Sequence, residues 1–204
     1  PGAAGAPIDL AQGPDALAAE LRLRPDAIAM SPQVHGAQVR TVATDADLCG
    51  PAPDADGQVT AIPGVACTVR VADCLPVLLI APEAVGALHA GWRGLAAGIL
   101  EAGVGALRAL GASAIQAAIG PGARVCCYET GEEVHAAFAR FGTQARRGTH
   151  ADLAFVARAT LEAAGVDVVH DVRLCTICAP AGLLWSHRRE GTLAGRQGGA
   201  AWRS

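Results

Sequence analysis

The sequence predicts a single α+β domain, a mixed-sheet α/β sandwich over residues 1–204. Three observations predict it. The chain has 204 residues, 51% of them hydrophobic and 17% charged, which suits one core at about 100–200 residues per domain. Short apolar runs of strand length alternate with stretches whose apolar residues recur at helical spacing. No internal repeat or low-complexity linker divides them.

Taken in order, residues 14–23, PDALAAELRL, read as a short helix opened by Pro14. Val65 to Val71 and Pro76 to Ile80 read as strands separated by the turn-like Ala72-Asp73-Cys74, so Cys74 sits at a strand junction. Val85 to His89 is a further short strand. The Gly91-Trp92-Arg93-Gly94 that follows leads into one helical pattern carrying Leu95, Ile99, Leu107 and Leu110. Ala114 to Ile119 reads as a buried strand that Gly120-Pro121-Gly122 ends abruptly. The next helix opens on a capping box, Thr130-x-x-Glu133, ahead of Val134, Ala137, Phe138 and Phe141. Asp152 is expected to cap another helix that stops at Gly165, and Val168 to Leu174 returns as a strand. The tail GTLAGRQGGAAWRS is Gly-rich and reads as irregular, with Arg196 on a loop, and the N-terminal PGAAGAPIDLAQG reads as frayed.

Composition removes several functional classes. The formal net charge of −3 provides no broad basic field for nucleic acid or an acidic membrane surface. All 16 basic residues are arginine, which excludes a Schiff-base lysine and a P-loop lysine. Phosphate would have to be met by arginine or backbone N–H groups. Pro, Gly or a charge interrupts every apolar run before the roughly 18 residues of a membrane span, and no basic-then-apolar secretory start appears. Seven cysteines, an odd number in a chain of this size, point to reduced thiols and a cytoplasmic protein.

His35, Cys74 and His89 each lie beside a turn residue or a strand end. Two imidazoles and a thiolate are a zinc set, and three protein ligands leave the fourth tetrahedral position open for water or substrate. Their spacing matches no local metal motif. From spacing alone, a small buried Cys74 with two hydrogen-bonded scaffold histidines is the stronger reading.

Resemblance changes that balance. SPQVHGAQV, DADGQVT, VADCLPVLL, ALHAGWRGLAAGIL, IGPGARVCCYETGEEV, CTIC and WSHRREGTLAGRQGG resemble, in order, segments of the YfiH/DUF152 family. That family is also called the multicopper polyphenol oxidase or laccase-domain family, and the peptidoglycan editing factor family. The resemblance implies a layered α/β/β/α fold and a zinc site at His35, Cys74 and His89. It also implies purine nucleoside phosphorylase, methylthioadenosine phosphorylase and adenosine deaminase activities. There are departures. The family's N-terminal Thr-Arg-x-Gly-Gly-like strand and Asn-Leu element would precede Pro1, so part of the substrate wall is expected to be missing. The family's F-F-S-Y-R-R is Leu184-Trp185-Ser186-His187-Arg188-Arg189 here, and its T-G-R is Ala194-Gly195-Arg196.

With that resemblance, Asp73 is a candidate general base or an orienter of the ligands, against a turn-capping role. Arg93, in the Gly-rich turn at a helix start, is the candidate phosphate ligand, against a surface salt bridge. Ser186, Arg188 and Arg196 are candidate substrate-binding residues, against a solvated basic face. Gln33 could meet a purine edge, though a glutamine before a turn is commonly structural. Cys175-x-x-Cys178 could be a redox pair or half a zinc knuckle, but with no second CxxC both are expected to be packed thiols. Adjacent Cys126 and Cys127 are not expected to chelate one ion together, and they, His135, His150 and His170 are assigned no role.

The leading expectation is therefore a zinc-dependent purine nucleoside enzyme. It would perform phosphorolysis, with purine nucleoside and phosphate as its small-molecule partners, or deamination at C6 with Asp73 moving protons. The chain would be a monomer or homodimer. The alternative is a cysteine hydrolase, with Cys74 as nucleophile, His89 or His35 as base and Asp73 as orienter. The fold's similarity to certain cysteine-dependent toxin deamidases and the peptidoglycan-editing label keep it open. Copper oxidation ranks lower, because six histidines without a His-x-His do not furnish a trinuclear cluster. A closed four-ligand site recruiting Cys175 or Cys178 would instead mark a non-catalytic zinc module.

Overall fold

The computed structural model describes Leu10 and residues 14–204; the fraying expected of residues 1–13 falls largely outside them. In chain order the strands are β1 (Ile28–Ala29), β2 (Val39–Val42), β3 (Gly57–Thr60), β4 (Ala66–Val71), β5 (Leu75–Ile80), β6 (Val85–Ala90), β7 (Gln116–Ile119), β8 (Arg146–Arg147), β9 (His150–Ala151), β10 (Val168–Asp171) and β11 (Gln197–Ala201). The α-helices are α1 (Asp15–Leu21), α2 (Trp92–Ala97), α3 (Ile99–Ala109), α4 (Glu132–Ala137), α5 (Leu153–Ala163) and α6 (His187–Glu190).

A mixed six-stranded sheet runs β10-β7-β5-β6-β3-β2, and a three-stranded sheet runs β1-β4-β11. Alternation along β4 explains how they stack. Cys67 and Val69 face Ala87 and Leu78 of the large sheet, while Ala66, one residue away, packs under Leu17 and Ala18 of α1, as the period of two requires. The other face of the large sheet carries Leu88 and Leu79 into a cluster with Leu100, Val104 and Leu107 of α3 and Leu161 of α5. The layers are thus α/β/β/α. Among the described residues no helix is long and apolar enough to cross a membrane.

Several local expectations are revised. The helical pattern from Trp92 to Ala109 is two helices, because Gly98 takes a left-handed conformation (φ +92) that closes α2 and opens α3. The capping box at Thr130 does not form: Gly131 is the N-cap of α4, with no side-chain cap bond, and Thr130 Oγ1 meets His135 Nε2 at 3.3 Å. Asp152 does cap α5, accepting the Phe155 N–H at 2.9 Å. β10 ends at Asp171, whose carboxylate turns to the Arg173 N–H and the Arg124 guanidinium. The tail is less irregular than its glycines suggest, since Gln197–Ala201 pairs antiparallel with β4 as β11. Arg196 itself stays on the loop before it.

Candidate active site

Three strand ends and one loop build the site. Cys74 ends the bend that carries the chain from β4 in one sheet to β5 in the other, and Asp73 within that bend is held at φ +93. His89 lies on β6, opposite Pro76 of β5. His35 sits on the loop before β2 with φ +61. Left-handed backbone is unfavourable for these two non-glycine residues, and such strain collects at functional sites.

One carboxylate holds two of these segments. Asp56, fully buried just ahead of β3, accepts the backbone N–H groups of Val34 (3.2 Å), His35 (2.9 Å) and Gly36 (2.7 Å). It also accepts His89 Nδ1–H at 2.8 Å. The ionised carboxylate can only accept, so the proton is on Nδ1 and Nε2 of His89 remains for a metal. Burial would raise the Asp56 pKa, but these donors outweigh it and hold the carboxyl below its ordinary value. Burial lowers the His89 pKa despite the Asp56 bond, which favours the neutral ligand form.

The ligand atoms of His35, Cys74 and His89 all lie within 4.8 Å of one another. That spacing fits a single ion with nitrogen bonds near 2.0–2.1 Å and a sulfur bond near 2.3 Å. Three protein donors would leave one position of a tetrahedral ion for water or substrate. Burial first, and then the Asp73 and Asp56 charges, push the Cys74 thiol up to about 12. A site of this polarity favours a cation over a free thiolate nucleophile.

Above the three ligands opens a cleft of about 810 Å³, within the range of small-molecule sites. Its wall includes Arg70, Trp92, Arg93, Tyr128, Arg188 and Arg196. Asp73 is nearly buried in it. Its Oδ1 accepts Thr176 Oγ1–H at 2.6 Å and its Oδ2 accepts the Arg188 backbone N–H at 2.7 Å.

Residues 6–204 match the family model described as multi-copper polyphenol oxidoreductase laccase. The chain belongs to this family. It is 39% identical over 202 residues to a purine nucleoside phosphorylase of Deinococcus radiodurans, covering 93% of this chain and 76% of that one. It is also 35% identical over 201 residues to an adenosine deaminase, RL5, of an unknown prokaryotic organism, covering 88% and 76%. Among solved structures, the hypothetical protein YfiH of Bacillus licheniformis superposes with a TM-score of 0.84 at 28% identity, covering 93% and 79%.

In this family member the sequence-predicted residues separate into two groups. His35, Cys74, His89, Asp73, Arg93, Arg188 and Arg196 converge on the cleft. Arg93 is exposed and stacks 4.4 Å from the Trp92 ring centroid. Arg188 lies 5.0 Å from the Tyr128 ring centroid and bonds the Glu129 carbonyl. Gln33 borders the cleft, and its amide is paired with the Arg70 backbone through both ends, at 2.9 and 2.8 Å. Ser186 is not among the residues lining the cleft: it is fully buried and its Oγ caps α6 by accepting the Arg189 N–H. Arg189 latches the carbonyls of Thr176, Ile177, Ala179 and Leu184. Sequence reasoning missed Asp56, Thr176 and Tyr128. Asp56 stood in the quoted DADGQVT, Tyr128 in IGPGARVCCYETGEEV and Thr176 in CTIC, so the resembling segments were the available signal, but nothing within them singled these residues out.

Proposed function

We propose that this family member is a zinc-dependent purine nucleoside enzyme, cleaving adenosine, inosine or methylthioadenosine by phosphorolysis and deaminating adenosine. One observation carries the reading. The His35, Cys74 and His89 donor atoms lie together in a cleft edged by Arg93, Arg188 and Arg196, and three such donors would leave a bound zinc one position for water or substrate. Relatives bearing the names purine nucleoside phosphorylase and adenosine deaminase support it. Zinc fits better than copper, because the two candidate metal groups among the described residues contain two histidines between them, too few for a multicopper centre.

Zinc there would supply Lewis-acid polarisation of a substrate or water oxygen. The chain's own groups do the rest. Trp92 and Tyr128 stand in the cleft wall with the Arg93 and Arg188 guanidinium groups over their rings, which holds those arginines at the cleft. Arg93, with Arg188 and Arg196, neutralises phosphate and places it beneath C1′. A phosphate oxygen bonds C1′ as the C1′–N9 bond breaks, its electron pair leaves with the purine, and the purine ring takes up the proton that the phosphate gives up. In deamination, Asp73 takes a proton from the attacking water and delivers it toward the leaving amine. Thr176 and the Arg188 N–H fix that carboxylate, leaving lone pairs on both oxygens for the transfer. The cysteine-hydrolase alternative uses the same His35, Cys74 and His89 atoms, and metal content separates the two, because a zinc-bound Cys74 thiolate is not a free nucleophile. All seven cysteines are free, in keeping with a cytoplasmic location.

The test is metal analysis of the purified protein with a nucleoside panel, with and without phosphate. We expect phosphate-dependent purine release, phosphate-independent inosine formation from adenosine, and loss of both with Cys74→Ala. A protein that turns over no purine nucleoside when zinc-loaded would overturn the reading.

A further inference from the structure

A second cluster of metal-ligating side chains lies outside the cleft. Cys126, Cys127, Cys175 and Cys178 bring all four sulfurs within 4.8 Å of one another. Cys126 Sγ is 3.9 Å from Cys178 Sγ and 3.5 Å from Cys127 Sγ. A tetrahedron with zinc–sulfur bonds of about 2.3 Å has edges of about 3.8 Å. The sulfurs therefore already stand near the corners around one ion, too close together to admit several irons between them.

The backbone explains how adjacent cysteines share a corner-to-corner edge. Residues 124–128 form a tight turn, with the Cys127 and Tyr128 N–H groups both donating to the Arg124 carbonyl at 2.9 and 2.8 Å. An extended segment would instead send neighbouring side chains to opposite faces. Across the cluster, Cys175-x-x-Cys178 is itself a turn closed by the Ala179 N–H on the Cys175 carbonyl at 3.0 Å. A bridge between Gly122 and Cys175 ties the two turns together.

We propose that these four cysteines form a closed, structural tetrathiolate zinc site distinct from the His35–Cys74–His89 centre. Its two turns lead into Tyr128, which walls the cleft, and Thr176, which bonds Asp73. The ion clasps the 122–128 and 172–179 segments against each other and so holds that side of the cleft. The site is independent of the proposed nucleoside chemistry.

Metal content of protein purified under reducing conditions tests it. Wild type should carry about two zinc ions per chain, and Cys74→Ala and Cys178→Ser should each carry about one. If the active-site reading alone is wrong, Cys74→Ala will match wild type while Cys178→Ser still loses an ion. Should Cys178→Ser fail to fold, wild-type protein suffices. Iodoacetamide mapping of the zinc-loaded chain should find the four thiols protected and the exposed Cys49 modified, with protection lost on chelation. Modification of Cys126 and Cys178 as fast as Cys49, disulfides among the four, or stoichiometric iron in place of zinc would each overturn the proposal.

Discussion

His89 Nδ1 lies 2.8 Å from Asp56 Oδ1, and the same buried carboxylate gathers the backbone N–H groups of Val34, His35 and Gly36. One side chain thereby orients the His89 imidazole and anchors the backbone that carries His35, far apart in sequence.

Asp56→Asn should weaken metal binding by about 10–100-fold, the usual cost of losing a partner behind a histidine ligand. An asparagine presents an NH₂ where two acceptor oxygens served four donors. Zinc competition against a chelator measures this. Unchanged affinity would show that Asp56 does not orient the ligands.

Gly91→Ala should also reduce metal affinity while leaving the fold in place. Gly91 has an ordinary φ of −75, so the backbone tolerates alanine. The added Cβ, however, would lie 2.9 Å from Cys74 Sγ and 3.4 Å from the His35 ring, displacing two ligands together. Circular dichroism beside zinc titration separates the two effects, and tight zinc in the variant would contradict the assigned ligand geometry.

Arg93→Ala distinguishes phosphorolysis from deamination, since phosphate is a reactant only in the former. Losing one charge-assisted contact costs about 1.5–3 kcal/mol, or about 10- to 150-fold in phosphate affinity. Adenine and inosine release measured against phosphate concentration should show a raised phosphate requirement with deamination and zinc content nearly unchanged. Equal losses in both reactions would mean that Arg93 supports the shared cleft instead.

Arg124 and Asp171 form a two-pronged ion pair at 2.7 and 3.0 Å, with side chains only 10% and 11% exposed. Removing one partner from so buried a pair, as in Asp171→Ala, should cost about 3–5 kcal/mol in unfolding free energy. Burial opposes ionisation of Asp171, but the Arg124 bonds and the Arg173 N–H prevail and hold its pKa below the ordinary 3.8. A lowered folded-state value means that the stabilisation is complete above the unfolded pKa and lost as pH falls through the folded one. Urea denaturation should show wild type losing stability below about pH 4, with a shallower loss in Asp171→Ala. Parallel pH curves would refute the assignment.

Elements read most directly were those with apolar runs or a local cap. β4 through β7 match their apolar stretches because both faces of these strands are covered, and Asp152 caps α5 through a bond made within one turn. β11 escaped because glycines read as loop. In the folded chain Gly199 lets the small sheet approach the large one, where a Cβ would lie 2.8 Å from the Pro76 Cβ. Thr130 illustrates the reverse, a correct capping pattern that loses to Gly131 and a bond to His135.

By itself the sequence determined the composition of the chemistry: no lysine, arginines for any anion, and His35, Cys74 and His89 as the soft donors. Local patterning also settled the alternation of helix and strand, because burial periodicity is written in neighbouring residues. Only the tertiary structure decided that Asp56 serves both histidines, that Ser186 is sealed away as a cap, and that four scattered cysteines share one small volume. Each of those depends on contacts between residues distant in the chain, which spacing does not encode. They arise where the bend at Asp73 passes from one sheet to the other and the turns at 122–128 and 172–179 come together.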